Sequence, residues 1–377
     1  MLNAPVVLQV LPSLVTGGVE RGTIEIAEAI ARAGGTALVA SAGGRLVSAV
    51  EDAGGRHVTL PLRAKDPLTV WRNAGRLARL IRAEGVEIVH ARSRAPAWSA
   101  LAAARRTGAR FLTTYHGAYG EGFPGKCLYN SVMARGERVI AISRYIADLI
   151  AARHGIDPAR IRVIPRGVDP VRFDPGAVPG ERIARLRKTW GVPDGMRAIV
   201  LPGRLTRWKG QTVLLEALAR LGRTDLCCVL VGSGAGRPGY EDELRRTAAR
   251  LGLADRLRMP GECDDMPAAL LLADVVVHAS VEPEAFGRVV IEAQAMARPV
   301  IASDGGGPTE TVQEGVTGWR VAPGDAGALA RVLDHALGLP PDEAAALGRR
   351  ARAAVQAGYT TAAMQRATLG VYRELLG

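Results

Sequence analysis

Short apolar runs alternate with segments of helical periodicity along most of this chain, and this alternation is the feature that most limits its fold. In the first half, the apolar runs cover residues 6–10, 37–40, 57–60, 88–91, 111–115 and 139–142. Buried strands separated by helices are typical of doubly wound parallel sheets, in which a crossover helix follows each strand. The first half therefore predicts an α/β domain built on such a sheet.

A segment rich in proline interrupts the alternation, which then starts again. Residues 165–179 contain four prolines, a composition typical of a linker between domains. Further apolar runs cover residues 198–201, 226–231, 257–259, 275–279 and 300–302. We therefore expect two doubly wound domains, at residues 1–170 and 171–359, and a last helix over residues 360–377. Ligands of such sheets bind outside the carboxyl ends of the strands, so a cleft between facing strand ends is the expected site.

The composition of the 377 residues excludes several classes of protein. Hydrophobic residues make up 48% and charged residues 23%, which is enough apolar material for buried cores and excludes a disordered chain. No run of about 18 uncharged apolar residues is present, so the sequence predicts no transmembrane helix. The first residues indicate a buried strand rather than a signal peptide. Four cysteines without CxxC spacing favour a reducing cytoplasm and argue against disulfides and a zinc site.

Positive charge is concentrated in the first half of the chain. Residues 1–180 carry 24 Lys and Arg against 14 Asp and Glu, whereas residues 181–377 carry 25 against 23. The first half is therefore expected to face an anionic partner, which can be a phospholipid surface, a phosphorylated substrate or nucleic acid. The aromatic content of 4% and the lack of an RNA-binding motif argue against nucleic acid.

One predicted helix in this half has a basic face. Leu77, Leu80 and Ile81 form its apolar side, and arginines recur at helical spacing at Arg72, Arg76, Arg79 and Arg82. We hypothesise that this face docks peripherally on an anionic membrane. The alternative is an ordinary solvated helix face.

Two glutamates eight residues apart are the first candidates for a functional site. Glu284 follows the apolar run 275–279, and Glu292 lies about one turn into the next helix. Between them, Phe286 and Gly287 offer backbone N–H groups at a helix N-terminus, which suits a phosphate. The structural alternative is that Glu284 caps the helix and that Glu292 is solvated.

A basic loop follows the apolar run 198–201. Arg204 and Lys209 can neutralise a diphosphate there, because Arg binds it in bidentate geometry and Lys acts as a point charge. Arg207 ranks lower, since its side chain can simply extend into solvent. The alternative is an ordinary basic loop without a ligand.

Two weaker candidates follow strands of the first half. Gly17 and Gly18 come after the first strand, where a backbone without side chains can approach a ligand closely. His116 follows the apolar run 111–115, and Gly117 leaves room beside it. A plain turn and a hydrogen-bonded structural histidine are the respective alternatives.

Two further motifs are expected to have no ligand of their own. Residues 234–239 match G-x-G-x-x-G, but Pro238 lies inside the motif and the first strand lacks it, so we reject NAD binding. Gly232 is instead expected to line a nucleotide site as part of a turn. Asp264 and Asp265 precede a helix, where carboxylates favour the helix dipole, so we expect them to cap it. We expect no metal site.

Together these residues resemble the retaining glycosyltransferases of family 4, which have the GT-B fold of two Rossmann-like domains. The resemblance covers nearly the whole chain, and the chain departs from the family pattern at Arg166, where Asn is frequent. The matching motifs follow in the family's order: GGVER at 17–21, HG at 116–117, IPRGVD at 164–169, GRLTRWKG at 203–210, VGSG at 231–234, EAFGRVVIE at 284–292 and GGPTETV at 306–312.

The resemblance implies roles for five side chains. Arg204 and Lys209 would hold the donor diphosphate and stabilise the leaving nucleotide as its charge develops. Glu292 would bind the ribose hydroxyls, and Glu284 would contact hydroxyls of the donor sugar. His116 would contact the transferred sugar.

The resemblance also implies contacts made by the backbone. Phe286 and Gly287 would offer N–H groups to the sugar or phosphate. The loop of Gly17 and Gly18 would approach the phosphates and the acceptor. Backbone atoms of residues 259–263, around Gly261, would meet the base.

The reaction is a further implication of the resemblance. Family members retain the anomeric configuration, need no metal and bind the acceptor in the first domain, against which the last helix packs. We expect transfer of a hexose from GDP-mannose or a UDP-hexose to a lipid-linked or polysaccharide acceptor, such as lipopolysaccharide core or another envelope glycan. The expected location is the cytoplasm, at the inner face of the membrane, and no cofactor is expected.

Two alternative functions stay open. An enzyme of the same fold can be a sugar-nucleotide epimerase or a sugar-phosphate synthase, which product analysis without an acceptor would separate. The other alternative is a non-catalytic subunit that binds a nucleotide sugar. The presence of the two glutamates and the two cations argues against that alternative.

Overall fold

The computed structural model describes residues 5–15, 17–120, 122, 125–234 and 238–377, and the chain divides into two compact units. The first unit comprises the residues up to Arg166 together with Thr361–Gly377, and the second comprises Gly167–Thr360. The division thus falls within the proline-rich segment, a few residues before the predicted boundary. No helix in the described part of the chain is long and apolar enough to cross a membrane.

The described residues of the first unit form a seven-stranded parallel sheet of order β3-β2-β1-β4-β5-β6-β7. The order reverses between β1 and β4, which is the position where ligands of doubly wound sheets bind. The strands are β1 (Val6–Val10), β2 (Thr36–Ser41), β3 (Arg56–Thr59), β4 (Ile88–Ala91), β5 (Arg110–Tyr115), β6 (Arg138–Ala141) and β7 (Ile161–Val163). The helices are α1 (Gly18–Arg32), α2 (Val47–Asp52), α3 (Pro67–Glu84), α4 (Arg94–Thr107), α5 (Lys126–Ser131) and α6 (Arg144–His154).

The second unit repeats this plan with a six-stranded parallel sheet of order β10-β9-β8-β11-β12-β13. Its order reverses between β8 and β11. The strands are β8 (Arg197–Pro202), β9 (Leu226–Val231), β10 (Leu257–Gly261), β11 (Val275–His278), β12 (Val300–Ser303) and β13 (Trp319–Val321). The helices are α7 (Gly180–Thr189), α8 (Gln211–Leu221), α9 (Pro238–Arg250), α10 (Met266–Leu272), α11 (Arg288–Ala295), α12 (Pro308–Thr311), α13 (Ala326–Gly338) and α14 (Pro341–Gly358).

The last helix, α15 (Thr361–Leu376), belongs to the first unit and packs against α1. Tyr372 donates or accepts a 2.8 Å hydrogen bond with Nδ1 of buried His90, at the centre of β4. Gln365 donates to the carbonyl of Glu25 on α1 at 2.7 Å. These buried polar contacts fix the rotation of α15 on the first unit.

The prediction of two doubly wound parallel sheets is confirmed, but the sequence reading missed β7 and β13. Each is a three-residue strand at the edge of its sheet with an arginine in the middle, Arg162 in β7 and Arg320 in β13. Only one neighbouring strand pairs with an edge strand, so a charged side chain can reach solvent there. The apolar run is consequently too short to be recognised.

Two smaller expectations concern acidic residues and cysteines. Asp265 is the N-cap of α10 and accepts from the N–H of Ala268 at 3.3 Å, so its capping role is confirmed. Arg182 donates to the same carboxylate, with Nη2 2.5 Å from Oδ1.

All four cysteines are free, and Cys227 and Cys228 are buried in β9.

Candidate functional site

Backbone geometry holds the loop after β8 in one conformation. Gly210 ends a short 3-10 turn with a φ of 70°, and a Cβ there would collide with the carbonyl of Ala279. The N–H of Val281 donates to the carbonyl of Trp208 at 2.8 Å, which ties this loop to the segment after β11. The loop therefore brings Lys209 to the carboxyl end of β11.

Glu284 is the centre of a buried polar cluster at this strand end. Its Oε2 accepts from Nζ of Lys209 at 2.5 Å and from Oγ of Ser280 at 3.2 Å, and it contacts Nε2 of His278. Burial raises the pKa of Glu284, but Lys209 and His278 together lower it more, so this pKa lies well below its usual range. Glu284 is therefore an ionised carboxylate that orients Lys209. It does not cap α11, whose N-cap is Gly287.

The second glutamate is buried, which excludes the alternative of a solvated side chain. Glu292 lies on α11 with 8% of its surface exposed. Its Oε1 is 3.6 Å from Nε of Arg288, one turn earlier on the same helix. A carboxylate in such a place can accept hydrogen bonds from hydroxyl groups of a ligand.

The loop after β12 supports the segment between the two glutamates. The N–H of Gly307 donates to the carbonyl of Glu284 at 2.8 Å, and a Cβ at Gly306 or Gly307 would collide with this backbone. Phe286 is buried, and its ring centroid lies 6.1 Å from that of Tyr359. Close packing of this kind fixes the backbone N–H groups that begin α11.

Three glycines line up along the carboxyl ends of β8, β9 and β10. Gly203, Gly232 and Gly261 have φ values of 154°, 146° and 83°. The N–H of Gly203 donates to Val231, and the N–H of Gly232 donates to Gly261, each at 2.8 Å. A Cβ on Gly232 would collide with the carbonyl of Gly203. The three turns thus leave backbone without side chains at the carboxyl end of the sheet, where a flat ligand can approach closely.

The remaining two cations of the β8 loop differ from Lys209. The Arg204 side chain is exposed, while its carbonyl accepts from Nε2 of Gln211 at 3.0 Å, which holds its backbone in place. Arg207 is 74% exposed and pairs with Glu243 on α9. Lys209, in contrast, is only 11% exposed. The alternative of an ordinary basic loop therefore fits Arg207 but not Lys209.

The first unit holds the glycine loop after β1. Gly17 is the N-cap of α1 with a φ of 134°, and α1 begins at Gly18. The Arg166 guanidinium, which is buried, donates through Nη2 to the carbonyl of Gly18 and through Nη1 to the sulfur of Met364 at 3.8 Å. Arg166 also lies where a side chain on Gly22 would have to be. Arg166 thus has a structural partner, the glycine at position 22.

His116 and Arg92 follow the neighbouring strands β5 and β4 of the same unit. Burial first, and then the charges of Arg92 and Arg166, hold the pKa of His116 well below its usual range. Its Nε2 is buried and makes no hydrogen bond to the described residues. Nε and Nη2 of Arg92 are likewise buried without a partner in the described part of the chain, and burial lowers the pKa of Arg92 to about 10. A neutral imidazole in this position can bond to a hydroxyl group.

Sequence reasoning missed His278 and Arg92. Both residues have the same sequence pattern as His116: a polar side chain at the carboxyl end of an apolar strand. The sequence does not reveal their partners, because Lys209 and Glu284 reach His278 from separate loops.

Two predictions concern ligand motifs: the rejected G-x-G-x-x-G match and the lack of a metal site. Residues 235–237 of the G-x-G-x-x-G match lie outside the described residues, and the helix α9 begins at Pro238. Among the described residues, no group of three or more His, Cys, Asp or Glu side chains is arranged to hold a metal ion.

Comparison with known families gives a consistent result for both units. Residues 16–172 match the family described as Glycosyltransferase Family 4, and residues 183–354 match the family described as Glycosyl transferases group 1. A relative named D-inositol 3-phosphate glycosyltransferase, from Salinispora arenicola, is 35% identical over 219 residues. That match covers 55% of this chain and 48% of the relative, so the chain spans about half the length of this curated protein.

Solved structures extend the likeness to the whole chain. A glycosyltransferase from Rickettsia africae ESF-5 is 38% identical with a TM-score of 0.91, and 99% of each chain is covered. Anabaena HepE, solved with UDP-glucose, has a TM-score of 0.86 at 24% identity, covering 98% of this chain and 99% of HepE. The described strands, helices and motif order agree with these matches. The chain therefore belongs to the group 1, family 4 glycosyltransferases and has their GT-B fold.

Proposed function

We propose that this protein is a retaining, metal-independent hexosyltransferase that uses a nucleotide-diphosphate sugar as donor. The observation that supports this most is the buried cluster of Lys209, Glu284 and His278 at the carboxyl ends of β8 and β11. An ammonium group held by an ionised carboxylate, with exposed Arg204 in the same loop, supplies positive charge for a diphosphate. This charge takes the place that a divalent cation has in other transferases.

The proposed donor site extends along the carboxyl ends of the strands of the second unit. Arg204 and Lys209 bind the diphosphate, and Glu284 accepts from hydroxyls of the sugar. Glu292 accepts from the ribose hydroxyls. The bare turns at Gly232 and Gly261 allow the base to approach the backbone closely.

The proposed reaction breaks the bond between the anomeric carbon and the diphosphate oxygen and forms a bond to an acceptor oxygen on the same face. The proton of the acceptor hydroxyl goes to an oxygen of the leaving diphosphate, so no nucleophilic carboxylate is needed. Lys209 and Arg204 stabilise the negative charge as it develops on that leaving group. His116, neutral because of its lowered pKa, bonds to a hydroxyl of the transferred hexose.

The choice of donor and acceptor is part of the proposal. HepE binds UDP-glucose, which favours a UDP-hexose over GDP-mannose for this chain. For the acceptor we propose a lipid-linked or polysaccharide chain of the cell envelope, of which lipopolysaccharide core is one. We propose that the protein acts in the cytoplasm, at the inner face of the membrane.

The membrane part of this proposal rests on α3. Leu68 and Trp71 are 56% and 65% exposed, which is unusual for large apolar side chains. A cavity of about 410 Å³ beside Trp71 is lined by arginines and fits an anionic headgroup: Arg72, Arg76, Arg79 and Arg106. An aromatic anchor next to a basic patch is typical of interfacial helices.

Flotation with vesicles tests this membrane surface. We expect the protein to float with phosphatidylglycerol vesicles at low salt, but not with phosphatidylcholine alone. Replacing Trp71 by Ala and Arg72 by Gln should abolish flotation. Failure to bind anionic vesicles at low salt would remove the membrane from the proposal while leaving the transferase reaction intact.

The reaction is tested by incubating purified protein with UDP-, GDP- and ADP-hexoses and following nucleoside diphosphate release. When no acceptor is added, water can slowly take its place. Early NMR spectra should then show the α-anomer of the free hexose that is released from an α-linked donor. Glu284→Gln and Lys209→Met should lower the rate at least about 100-fold. Arg207→Met, in the same loop, is the matched control and should change it less than about twofold.

The same assay separates the alternatives. Addition of a chelator should leave the rate unchanged. An epimeric sugar as product indicates the epimerase, and a disaccharide phosphate formed only with hexose phosphates indicates the synthase. Binding without any turnover indicates a non-catalytic subunit, and release of the β-anomer contradicts retention.

A further inference from the structure

A cavity of about 600 Å³ lies in the second unit, at the amino ends of three neighbouring strands. Among its lining residues, Arg197 begins β8, Asp274 directly precedes β11, and Pro299 directly precedes β12. Lys209 and Glu284 instead follow the carboxyl ends of β8 and β11. Because these strands are parallel, the cavity lies at the opposite end of the sheet from the candidate donor site. Its volume is typical of a small-molecule site.

Much of the cavity wall is aliphatic. Leucine, methionine, alanine and proline side chains from α10, α13, α14 and the connecting segments line it. The largest of them are Leu271, Met296, Leu337 and Leu339. No aromatic side chain is among the described residues of the wall, so no ring is available there to stack on a base. The wall therefore favours a hydrocarbon chain over a nucleotide.

Arg298 supplies a cation on this otherwise aliphatic wall. Its side chain is half-buried, and its Nε is buried without a hydrogen-bond partner among the described residues. Burial lowers the pKa of Arg298, and the charge of Asp274 offsets this only in part. Leaving a buried N–H of a charged group without an acceptor costs free energy, which a bound anion would recover.

The other charges on the wall leave it positive. Arg197 and Arg349 also line the cavity, and Arg197 donates to a neutral backbone carbonyl at 2.5 Å. Asp274 is the one acidic side chain among the described residues of the wall. Its Oδ2 already accepts from the N–H of Ala198 at 2.7 Å. The wall therefore favours an anion over a cation or a neutral ligand.

A strained backbone segment holds Arg298 in place. Ala297, directly before it, has a φ of 54° and is the one non-glycine residue with a positive φ in the described part of the chain. A Cβ on Gly348 of α14 would collide with the carbonyl of Ala297, and the N–H of Arg298 donates to the carbonyl of Ala293 at 3.0 Å. Strain of this kind persists where the surrounding contacts enforce it, and it is frequent at ligand sites.

We propose that this cavity is a second ligand site, which binds an aliphatic carboxylate. The carboxylate pairs with the guanidinium of Arg298, since arginine binds this group in planar, bidentate geometry. The hydrocarbon chain lies against the leucines and Met296, whose unbranched side chain adapts to it, and gains free energy by leaving water. The site is independent of the proposed transferase function, because no residue of the donor cluster lines it.

Titration calorimetry of the whole protein with octanoate, acetate and octan-1-ol tests this site without donor or acceptor. We expect octanoate to bind at least about tenfold more tightly than acetate, which lacks the chain, and than octan-1-ol, which lacks the charge. Arg298→Gln should weaken octanoate binding at least about tenfold and remove its advantage over octan-1-ol.

Two further variants complete the test. Ala345 lines the cavity from an exposed position on α14, so Ala345→Trp should fold and block octanoate binding. Arg350→Gln, on the same helix but not among the lining residues, is the matched control and should bind octanoate like the wild type.

Three results would overturn the assignment: no binding of octanoate, equally tight binding of octan-1-ol, or an octanoate affinity that Arg298→Gln or Ala345→Trp leaves unchanged. Titration with UDP on the same preparations tests the donor site separately. We expect Ala345→Trp to bind UDP like the wild type, because the two sites lie at opposite ends of the sheet.

Discussion

At the scale of single residues, Arg166 shows how one large buried side chain can require a glycine at another position. The guanidinium of Arg166 lies beside the backbone of Gly22 on α1. It also bonds to Gly18 in the glycine loop. The arginine therefore positions this loop, and glycine is required at position 22 because the side chain of Arg166 fills that space.

This pairing predicts a stability change whose sign depends on the background. Gly22→Ala would normally stabilise a helix by about 1 kcal/mol. Here the added methyl group meets the buried guanidinium, so we expect a loss of about 1–3 kcal/mol in the free energy of unfolding. In an Arg166→Asn background the same change should be neutral or stabilising. Urea unfolding of the four proteins measures the coupling, and equal effects in both backgrounds would contradict it.

Buried histidines at the strand ends predict how acid affects the protein. The pKa values of His90 and His116 lie well below the usual value because burial disfavours their charged forms. The unfolded chain binds protons below about pH 6.5 that the folded chain excludes, so stability must fall as the pH falls through this value.

We expect the melting temperature to decrease between about pH 7.5 and 5.5, before carboxylates begin to titrate. His90→Gln should lower stability at every pH but reduce this slope. A melting temperature that is constant or rises on acidification in this range would contradict the assignment of neutral histidines.

At the scale of elements, α15 is held on the first unit by a buried hydrogen bond as well as by apolar packing. Tyr372 and His90 are both fully buried, and Nε2 of His90 also contacts the hydroxyl of Thr114 at 2.6 Å. Removing the tyrosine hydroxyl leaves a buried ring nitrogen without a partner, which costs about 1–3 kcal/mol.

Tyr372→Phe should therefore lower the free energy of unfolding by that amount. Arg373→Ala, the next position on the exposed side of α15, should change it by less than about 0.5 kcal/mol. Chemical denaturation measures both variants. A Phe variant as stable as the wild type would show that this hydrogen bond does not contribute to holding the helix.

The elements themselves were largely predictable from the sequence, because buried parallel strands give continuous apolar runs. The edge strands β7 and β13 gave no such signal. The sets of side chains that meet at the site were less predictable from the sequence. Lys209, in the loop after β8, meets His278, Ser280 and Glu284, at and after the end of β11, because the two strands are neighbours in the sheet. Sequence spacing shows which residues follow strands, whereas the strand order decides which of them meet.

At the scale of the whole molecule, chemistry is divided between the two units. The second unit contains Glu284, Glu292, the glycine turns and Lys209, to which we assign the nucleotide-diphosphate donor. The first unit carries the excess positive charge and the exposed face of α3. Donor binding and acceptor binding should consequently respond to separate sets of substitutions.

The most direct test of the donor site is a calorimetric titration of the protein with UDP, GDP, ADP and NAD. We predict that one nucleoside diphosphate binds and NAD does not. Glu292→Ala and Lys209→Ala should each weaken this binding at least about tenfold, which corresponds to 1.4 kcal/mol, while Arg207→Ala leaves it unchanged. Binding of NAD alone, or a diphosphate affinity unaffected by Glu292→Ala and Lys209→Ala, would contradict the donor site.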